Sequence, residues 1–339
     1  MLKNVLNTFL AQDAVELAAV ERSGFVESRH IGSAVLTAND GSVVISLGDP
    51  DAPVFARSTL KPFQALGSMQ AGVPLRGAEA AIAAGSHTGS LAHTDLISTM
   101  LEKAGLDERY LLCPPAWPQD TEAYRWMLRT ERDKTPLAMN CSGKHAAFLW
   151  ACTENSWDTG TYLNPEHPVQ KLAQAAIEEY TGERPVQMGT DGCGAPVSAL
   201  SLIGLARAYG RLGRSATDKN ANARAATIAT AMLDYPWAVE GVSKPNTVVM
   251  EELGVIAKLG AEGVLCLATP SGVGVAIKIL DGSARAASLV GLTMLAAAEA
   301  VSADAVAATL PKIVDPIIGG DMTVGQLRLA PAVSALLDR

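Results

Sequence analysis

The stretch Phe55-Ala56-Arg57-Ser58-Thr59-Leu60-Lys61-Pro62-Phe63-Gln64-Ala65 places a hydroxyl and an amine three residues apart at the start of a helix. A helix that begins near Ser58 brings Ser58 and Lys61 to one face with Cβ atoms about 5–6 Å apart, so that the amine reaches the hydroxyl. Pro62 falls in the first turn, where a missing N–H costs little. Serine becomes a nucleophile only when a base takes its proton. A lysine, which ordinarily gives up its own near pH ~10.4, serves as that base only if it is depressed toward about 7. Burial and a second cation together reach that far. A capping serine followed by a solvated lysine spells the same letters, so the rest of the chain has to supply the burial, the cation and the scaffold.

Upstream of this stretch the text is strand-like. Residues 15–22, a Ser23-Gly24 turn, residues 32–37, an Asn39-Asp40-Gly41 turn and residues 43–47 read as successive antiparallel strands. Gly48-Asp49-Pro50 ends the last of them, so Ser58 sits where a sheet hands over to a helix. Downstream, apolar residues recur at three- and four-residue spacing over 61–70, 78–84, 94–104, 122–130, 145–152, 169–180, 197–209 and 221–233, which predicts helices. After Pro245 strands return at 254–259, 264–268 and 274–280, and one final helix is expected over 286–310. Strands at both ends with helices between predict an α/β sandwich. Residues 1–57 and 246–339 form its sheet and 58–245 its mainly helical part, in a single catalytic unit spanning 1–339.

Composition bounds the partners. The 339 residues carry a net charge of −8 with no Lys/Arg cluster, which argues against nucleic acid and anionic membranes and for a small-molecule ligand. Five cysteines, an odd number, fit reduced thiols in a cytoplasm better than a disulfide framework. Residues 1–13 lack a signal-peptide pattern, and the apolar segment 290–310 is interrupted by Glu299 and Asp304 and reads as a packed helix, not a membrane span.

Three glycine-flanked loops carry reactive residue types: Gly85-Ser86-His87-Thr88-Gly89, Asn140-Cys141-Ser142-Gly143-Lys144-His145 and Gly189-Thr190-Asp191-Gly192-Cys193-Gly194. Lys258-Leu259-Gly260, in the first returning strand, resembles the Lys-x-Gly strand that faces an S-x-x-K helix in penicillin-binding proteins and serine β-lactamases. Lys258 is then the second cation, one that depresses Lys61 and attracts a carboxylate. The Ser-Asp-Asn string of the β-lactamases is absent, and either Ser86 or Ser142 is a candidate for the hydroxyl that relays a proton. Cys141 and Cys193 with a nitrogen donor would suit a zinc ion with an open position. General ligand preferences name His145 as that nitrogen, because the Lys144 amine must first lose a proton. Buried apolar thiols are the competing reading, and Cys113, Cys152 and Cys266 are assigned to the core.

Taken together, Gly48-Asp49-Pro50, the 57–64 string, Ser86-His87-Thr88-Gly89, Asn140 to His145, Asp191-Gly192-Cys193-Gly194 and Ala257-Lys258-Leu259-Gly260-Ala261-Glu262-Gly263 resemble, in order, the Rhizobium etli type of L-asparaginase of the asparaginase II family. The resemblance runs from about Val15 to Asp281. It implies a serine β-lactamase-like and glutaminase-like fold, hydrolysis of L-asparagine to L-aspartate and ammonia, and a homodimer. It further implies catalytic roles for Ser58, Lys61, Ser86 and Lys258, and zinc held by Cys141, Lys144 and Cys193. Arg57, His145 and Asp191 become residues that contact substrate or support the site. This chain is compact at 106–135 and after Thr269, which bears on substrate preference more than on reaction type. A glutaminase, another amidase or a β-lactamase-like hydrolase could use the same Ser–Lys pair, and a binding protein that has lost catalysis could keep the fold.

Overall fold

The computed structural model describes residues 6–338; residues 1–5 and 339, and with them the start of the 1–13 stretch read above, lie outside the described residues. Strand β1 (Val15–Arg22) returns as β2 (Phe25–Thr37) through Ser23 and Gly24, both at positive φ (51° and 80°), the mirror-image turn whose twist matches a hairpin. β2 pairs next with β3 (Val43–Leu47) across a turn in which Asp40 Oδ1 accepts the Ser42 N–H at 2.9 Å. β4 (Val54–Phe55) leaves this sheet, and a 3₁₀ turn over Arg57–Leu60 leads into α1 (Lys61–Gln70).

The helical middle continues through α2 (Gly77–Ala83), α3 (Leu91–Lys103), α4 (Thr121–Arg129), α5 (Ser142–Glu154) and α6 (Pro168–Thr181). After β5 (Gln187–Thr190) and β6 (Pro196–Leu200) come α7 (Leu202–Ser215), α8 (Ala223–Asp234), the short α9 (Pro236–Val239) and α10 (Pro245–Leu253). The chain then returns to the large sheet as β7 (Ile256–Gly260), β8 (Val264–Ala268) and β9 (Gly274–Ile279). It ends with α11 (Ala287–Ala297), α12 (Ala303–Ile313), β10 (Ile317–Gly319), β11 (Met322–Leu329) and α13 (Pro331–Ser334).

The large sheet runs β10-β11-β1-β2-β9-β8-β7, with β3 also on β2, and every pairing is antiparallel. Both ends of the chain therefore share one sheet. β8 is buried along its whole length because helices cover both faces. Alternation sends Leu265 and Leu267 toward α11, where Gly291 leaves room for them, and Cys266 and Ala268 toward α7 and the Ser58 turn. α7 lies almost on the sheet backbone: a Cβ on Gly274 would meet Ala206 O at 2.0 Å and one on Gly210 would meet Gly272 O at 2.5 Å. β4, β6 and β5 make a separate small sheet.

Several expectations change in detail. The helix expected over 197–209 divides into β6 and α7, because Ser201 caps the new helix by accepting the Gly204 N–H at 2.9 Å while residues 196–199 pair with β5 and Leu200 with β4. The helix expected over 286–310 breaks at Glu299, which takes φ 54°, and restarts at the Ser302 cap as α12. Residues 254 and 255 do not open a strand: Gly254, at φ 61°, ends α10, a helix not anticipated after Pro245. β10 and β11 were likewise not anticipated. Among the described residues no helix is long and apolar enough to cross a membrane.

Candidate active site

The turn that carries Ser58 is pressed against β7. A Cβ on Gly260 would meet Ala56 O at 3.0 Å, so the glycine of Lys258-Leu259-Gly260 is what lets strand and turn approach. Arg57, at φ 53°, occupies a region that non-glycine residues rarely adopt, and its guanidinium is tied to Asp191 Oδ1 by Nε and Nη2, both at 2.8 Å. Burial pushes the Asp191 carboxyl up, but the Arg57 guanidinium and the Gly192 N–H outweigh it and hold the group below the usual carboxylate range.

Lys61 is 1% exposed, and its Nζ donates to Gly85 O at 2.7 Å, Ser86 Oγ at 2.9 Å and Asn140 O at 3.0 Å. Lys258, fully buried, donates to Ser86 Oγ at 2.8 Å and Leu259 O at 2.7 Å. One hydroxyl thus accepts from two buried amines. Burial lowers both lysines, and with Lys61 beside it Lys258 comes down to about 7. Ser58, half-buried, accepts the Lys61 backbone N–H at its carbonyl, but its Oγ has no hydrogen-bond partner among the described residues. The side-chain bond expected between Ser58 and Lys61 is therefore not made: Lys61 turns to the two loops instead.

Those loops are clipped together. Gly89 N–H donates to His87 Nδ1 at 3.1 Å, which leaves the ring proton on Nε2 to donate to Ser142 Oγ at 2.9 Å, and Ser142 donates to Leu137 O at 2.8 Å. Ser142 is occupied in this way, so of the two relay candidates only Ser86 meets the lysines. Gly143 lets α5 start against α2, where a Cβ would meet Ile82 O at 2.6 Å, and this brings Asn140 O to Lys61. His87 had no distinguishing signal in sequence beyond its place in a glycine-flanked loop.

Cys141, Lys144 and Cys193 also converge, all buried, with Lys144 Nζ 3.3 Å from Cys193 Sγ. The Cys141 thiol donates to Asn140 Oδ1 at 3.2 Å; the neighbouring Cys193 together with burial pushes it up to about 12, while Cys141 and Lys144 bring Cys193 down to about 5 despite its burial. Burial would lower Lys144, but the two sulfurs keep it above its ordinary value. A buried thiolate, a thiol and an amine in contact are a donor set that fits zinc once the protons leave. Among the described residues no group of three or more His, Cys, Asp and Glu side chains forms a metal-binding cluster, a set that does not include the Lys144 amine.

His145 is fully buried and points Nδ1 at the Tyr162 hydroxyl, 2.7 Å away, which itself accepts the Leu112 N–H at 2.9 Å. Its Nε2 has no partner among the described residues, and burial followed by the Lys144 charge brings the ring down to about 3, so it is neutral. The amine, not the imidazole, is the nitrogen beside Cys193. Tyr162, which fixes the His145 ring, was not singled out in sequence. It stands in a Thr161-Tyr162-Leu163 run with no motif around it.

No curated protein matched the chain. Residues 18–329 match the L-asparaginase II family, a span that contains every side chain described above, and the chain belongs to that family.

Proposed function

We propose that this member of an amidohydrolase family is an L-asparaginase of the Rhizobium etli type, working as a single catalytic unit on a serine β-lactamase-like scaffold, as a cytoplasmic homodimer. The observation that carries the reading is the Ser86 hydroxyl shared between Lys61 and Lys258 beside the turn of Ser58. Two buried amines, each depressed by burial, on one hydroxyl are suited to moving protons near neutral pH.

In this reading neutral Lys61 takes the Ser58 proton, and Ser58 Oγ attacks the side-chain amide carbon of asparagine while backbone N–H groups of the turn stabilise the oxyanion. The C–N bond then breaks. The proton passes through Lys61 and Ser86 to the leaving amine, ammonia departs, and a β-aspartyl ester remains on Ser58. Water attacks that ester with the same groups acting in reverse, releasing aspartate. Arg57, His145, Asp191 and Lys258 orient the substrate's charged groups. Cys141, Lys144 and Cys193 would hold zinc, which when bound supplies a Lewis-acidic anchor for substrate. A second reading exchanges the serines: Ser86, and not Ser58, already touches both amines, which favours it as the attacking hydroxyl.

The test is ammonia release by purified protein from L-asparagine and L-glutamine, with the colour change of a chromogenic β-lactam followed in parallel and metal content measured on the same sample. Turnover of asparagine above the other two is the expected result. Preferential turnover of glutamine or the lactam would move the chain to another amidase or a β-lactamase-like hydrolase, and inertness toward all three would leave a binding protein.

A further inference from the structure

Lys61 draws its three acceptors from two loops: Gly85 O at 2.7 Å and Ser86 Oγ at 2.9 Å from residues 85–89, and Asn140 O at 3.0 Å from residues 139–142. Among the described residues no backbone hydrogen bond runs between these loops, and the side chain that joins them directly is His87, whose Nε2 lies 2.9 Å from Ser142 Oγ. Each loop is otherwise fastened elsewhere. Ser86 N–H donates to Val239 O at 2.6 Å and Thr88 N–H to Glu240 O at 2.8 Å, which ties the first loop to the end of α9. Ser142 N–H donates to Met139 O at 2.9 Å and closes the turn that presents Asn140. The His87 ring is fully buried and stacks on His93, with centroids 5.1 Å apart and planes 30° from parallel, while His93 Nε2–H donates to Trp237 O at 2.8 Å.

The three acceptors of Lys61 are chemically unequal. A carbonyl oxygen only accepts, whereas a hydroxyl both accepts and donates. An ammonium has an N–H for each of the three; a neutral amine has two N–H groups and a free electron pair. When Lys61 is neutral, Gly85 O and Asn140 O keep the two N–H groups, and the direction left for the electron pair is that of Ser86 Oγ. Ser86 Oγ already accepts from Lys258 at 2.8 Å, so its own proton can turn to Lys61. We propose that His87 is a positioning residue for Lys61: its bond to Ser142 holds the two carbonyls on one amine, and the carbonyls aim the electron pair at the Ser86 hydroxyl. A proton that leaves Ser86 Oγ along this bond makes Lys61 an ammonium, its three N–H groups then directed at the two carbonyls and the serine oxygen, and the reverse step returns it. The proposal rests on the amidase reading and deepens it. It serves either assignment of the attacking serine, since both send a proton along the Lys61–Ser86 bond. Without the clip the loops are free to shift, and a misplacement of about 1 Å at a reacting pair can cost about 10²-fold in rate.

His87→Gln and His87→Asn separate the bond from the bulk of the ring. Both put a neutral amide in its place, but the glutamine nitrogen reaches as far as Nε2 and the asparagine nitrogen only as far as Nδ1. In folded protein assayed well below its thermal midpoint, His87→Asn is expected to lower kcat for asparagine by about 10²-fold with KM within about threefold, and His87→Gln to recover most of the loss. Ser142→Ala, which removes the acceptor, should match His87→Asn and covers an Asn variant that fails to fold. The double variant should be no slower than the slower single, because one bond is lost only once. A readout that needs no turnover is the ¹³Cε resonance of Lys61 in lysine-labelled protein, assigned by its loss in Lys61→Met. It should move in His87→Asn and Ser142→Ala and stay near the parent position in His87→Gln. A Lys61 resonance or a kcat unmoved in Ser142→Ala overturns the proposal, as does a His87→Gln variant as slow as His87→Asn, and a role confined to packing predicts these outcomes. A parent inert toward asparagine would defeat the amidase reading while the Lys61 resonance still decides the role of His87.

Discussion

At Ser86 Oγ two amine donors meet, from Lys61 at 2.9 Å and Lys258 at 2.8 Å, while Ser58 touches neither. If Ser58 is the nucleophile, Ser58→Ala lowers kcat/KM by at least about 10³-fold and Ser86→Ala, which removes a relay, by about 10²-fold. Mass spectrometry after quenching should place the aspartyl group on the peptide containing residue 58; finding it on the peptide containing residue 86 assigns attack to Ser86. The metal reading is equally local. Purified protein should hold about one zinc per chain, Cys193→Ser and Lys144→Ala should lose most of it, and His145→Ala, whose Nδ1 is spent on Tyr162, should keep it. Parent protein without zinc, prepared without chelator, would return Cys141 and Cys193 to the core. Lys258 links charge to pH: its depressed value of about 7 means that neutral amine gains on ammonium as pH rises through about 7, so activity that needs the neutral form rises in that window.

Elements meet in this fold where glycine removes a side chain. α1 crosses α6 so closely that a Cβ on Gly67 would meet Ala173 N and Cα at 2.6 Å, and neither backbone atom can rotate away. Gly67→Ala therefore has to push the helices apart. It is expected to destabilise by roughly 1–3 kcal/mol, read as a lower denaturant midpoint at unchanged slope. Because α1 begins at Lys61, the same variant should also reduce turnover. Wild-type stability in Gly67→Ala would mean that the crossing has slack. The periodicity of α1 was legible to the residue, since its apolar face, its early Pro62 and its ending before Gly72 all agree. The division of 197–209 was not, because an apolar run of that length fits strand and helix alike until the pairing of β6 with β5 decides.

At the scale of the molecule, β1 lies between β11 and β2, so the carboxyl-terminal strands complete a sheet that the amino-terminal strands begin. Ile317, Leu327, Val333 and Leu336 are all buried there. Side chains of this kind contribute about 1.5–3 kcal/mol each when fully buried, and a typical fold has a margin of only about 5–15 kcal/mol. Deleting residues 316–339 also bares the edge of β1, a template for aggregation. The truncated chain is expected to aggregate or to lose its cooperative thermal transition, checked by size-exclusion chromatography and circular dichroism. A soluble truncation with a parent-like transition would show that the sheet closes without these strands.

Taken alone, the sequence determined what local chemistry can specify. Ser23-Gly24 and Asn39-Asp40-Gly41 dictate their turns by backbone preference, the strands of 15–47 and 256–279 follow from alternation while β10 and β11 did not, and the middle helices follow from apolar spacing. The residues brought together at the site were legible as strings, with glycines such as Gly260 and Gly143 marking close approaches. Which partner each side chain takes was not. Lys61 is three residues from Ser58 yet bonds Ser86, 25 positions away, and Lys258 reaches the same hydroxyl over 172. The Val239-Glu240 segment, which carries no motif, is fixed to the Ser86 loop by two backbone bonds. Spacing along the chain fixes which residues share a helix face. The choice among competing hydrogen-bond acceptors in a buried site depends on which loops the packed sheet and helices bring within 3 Å, and only the tertiary structure decides that.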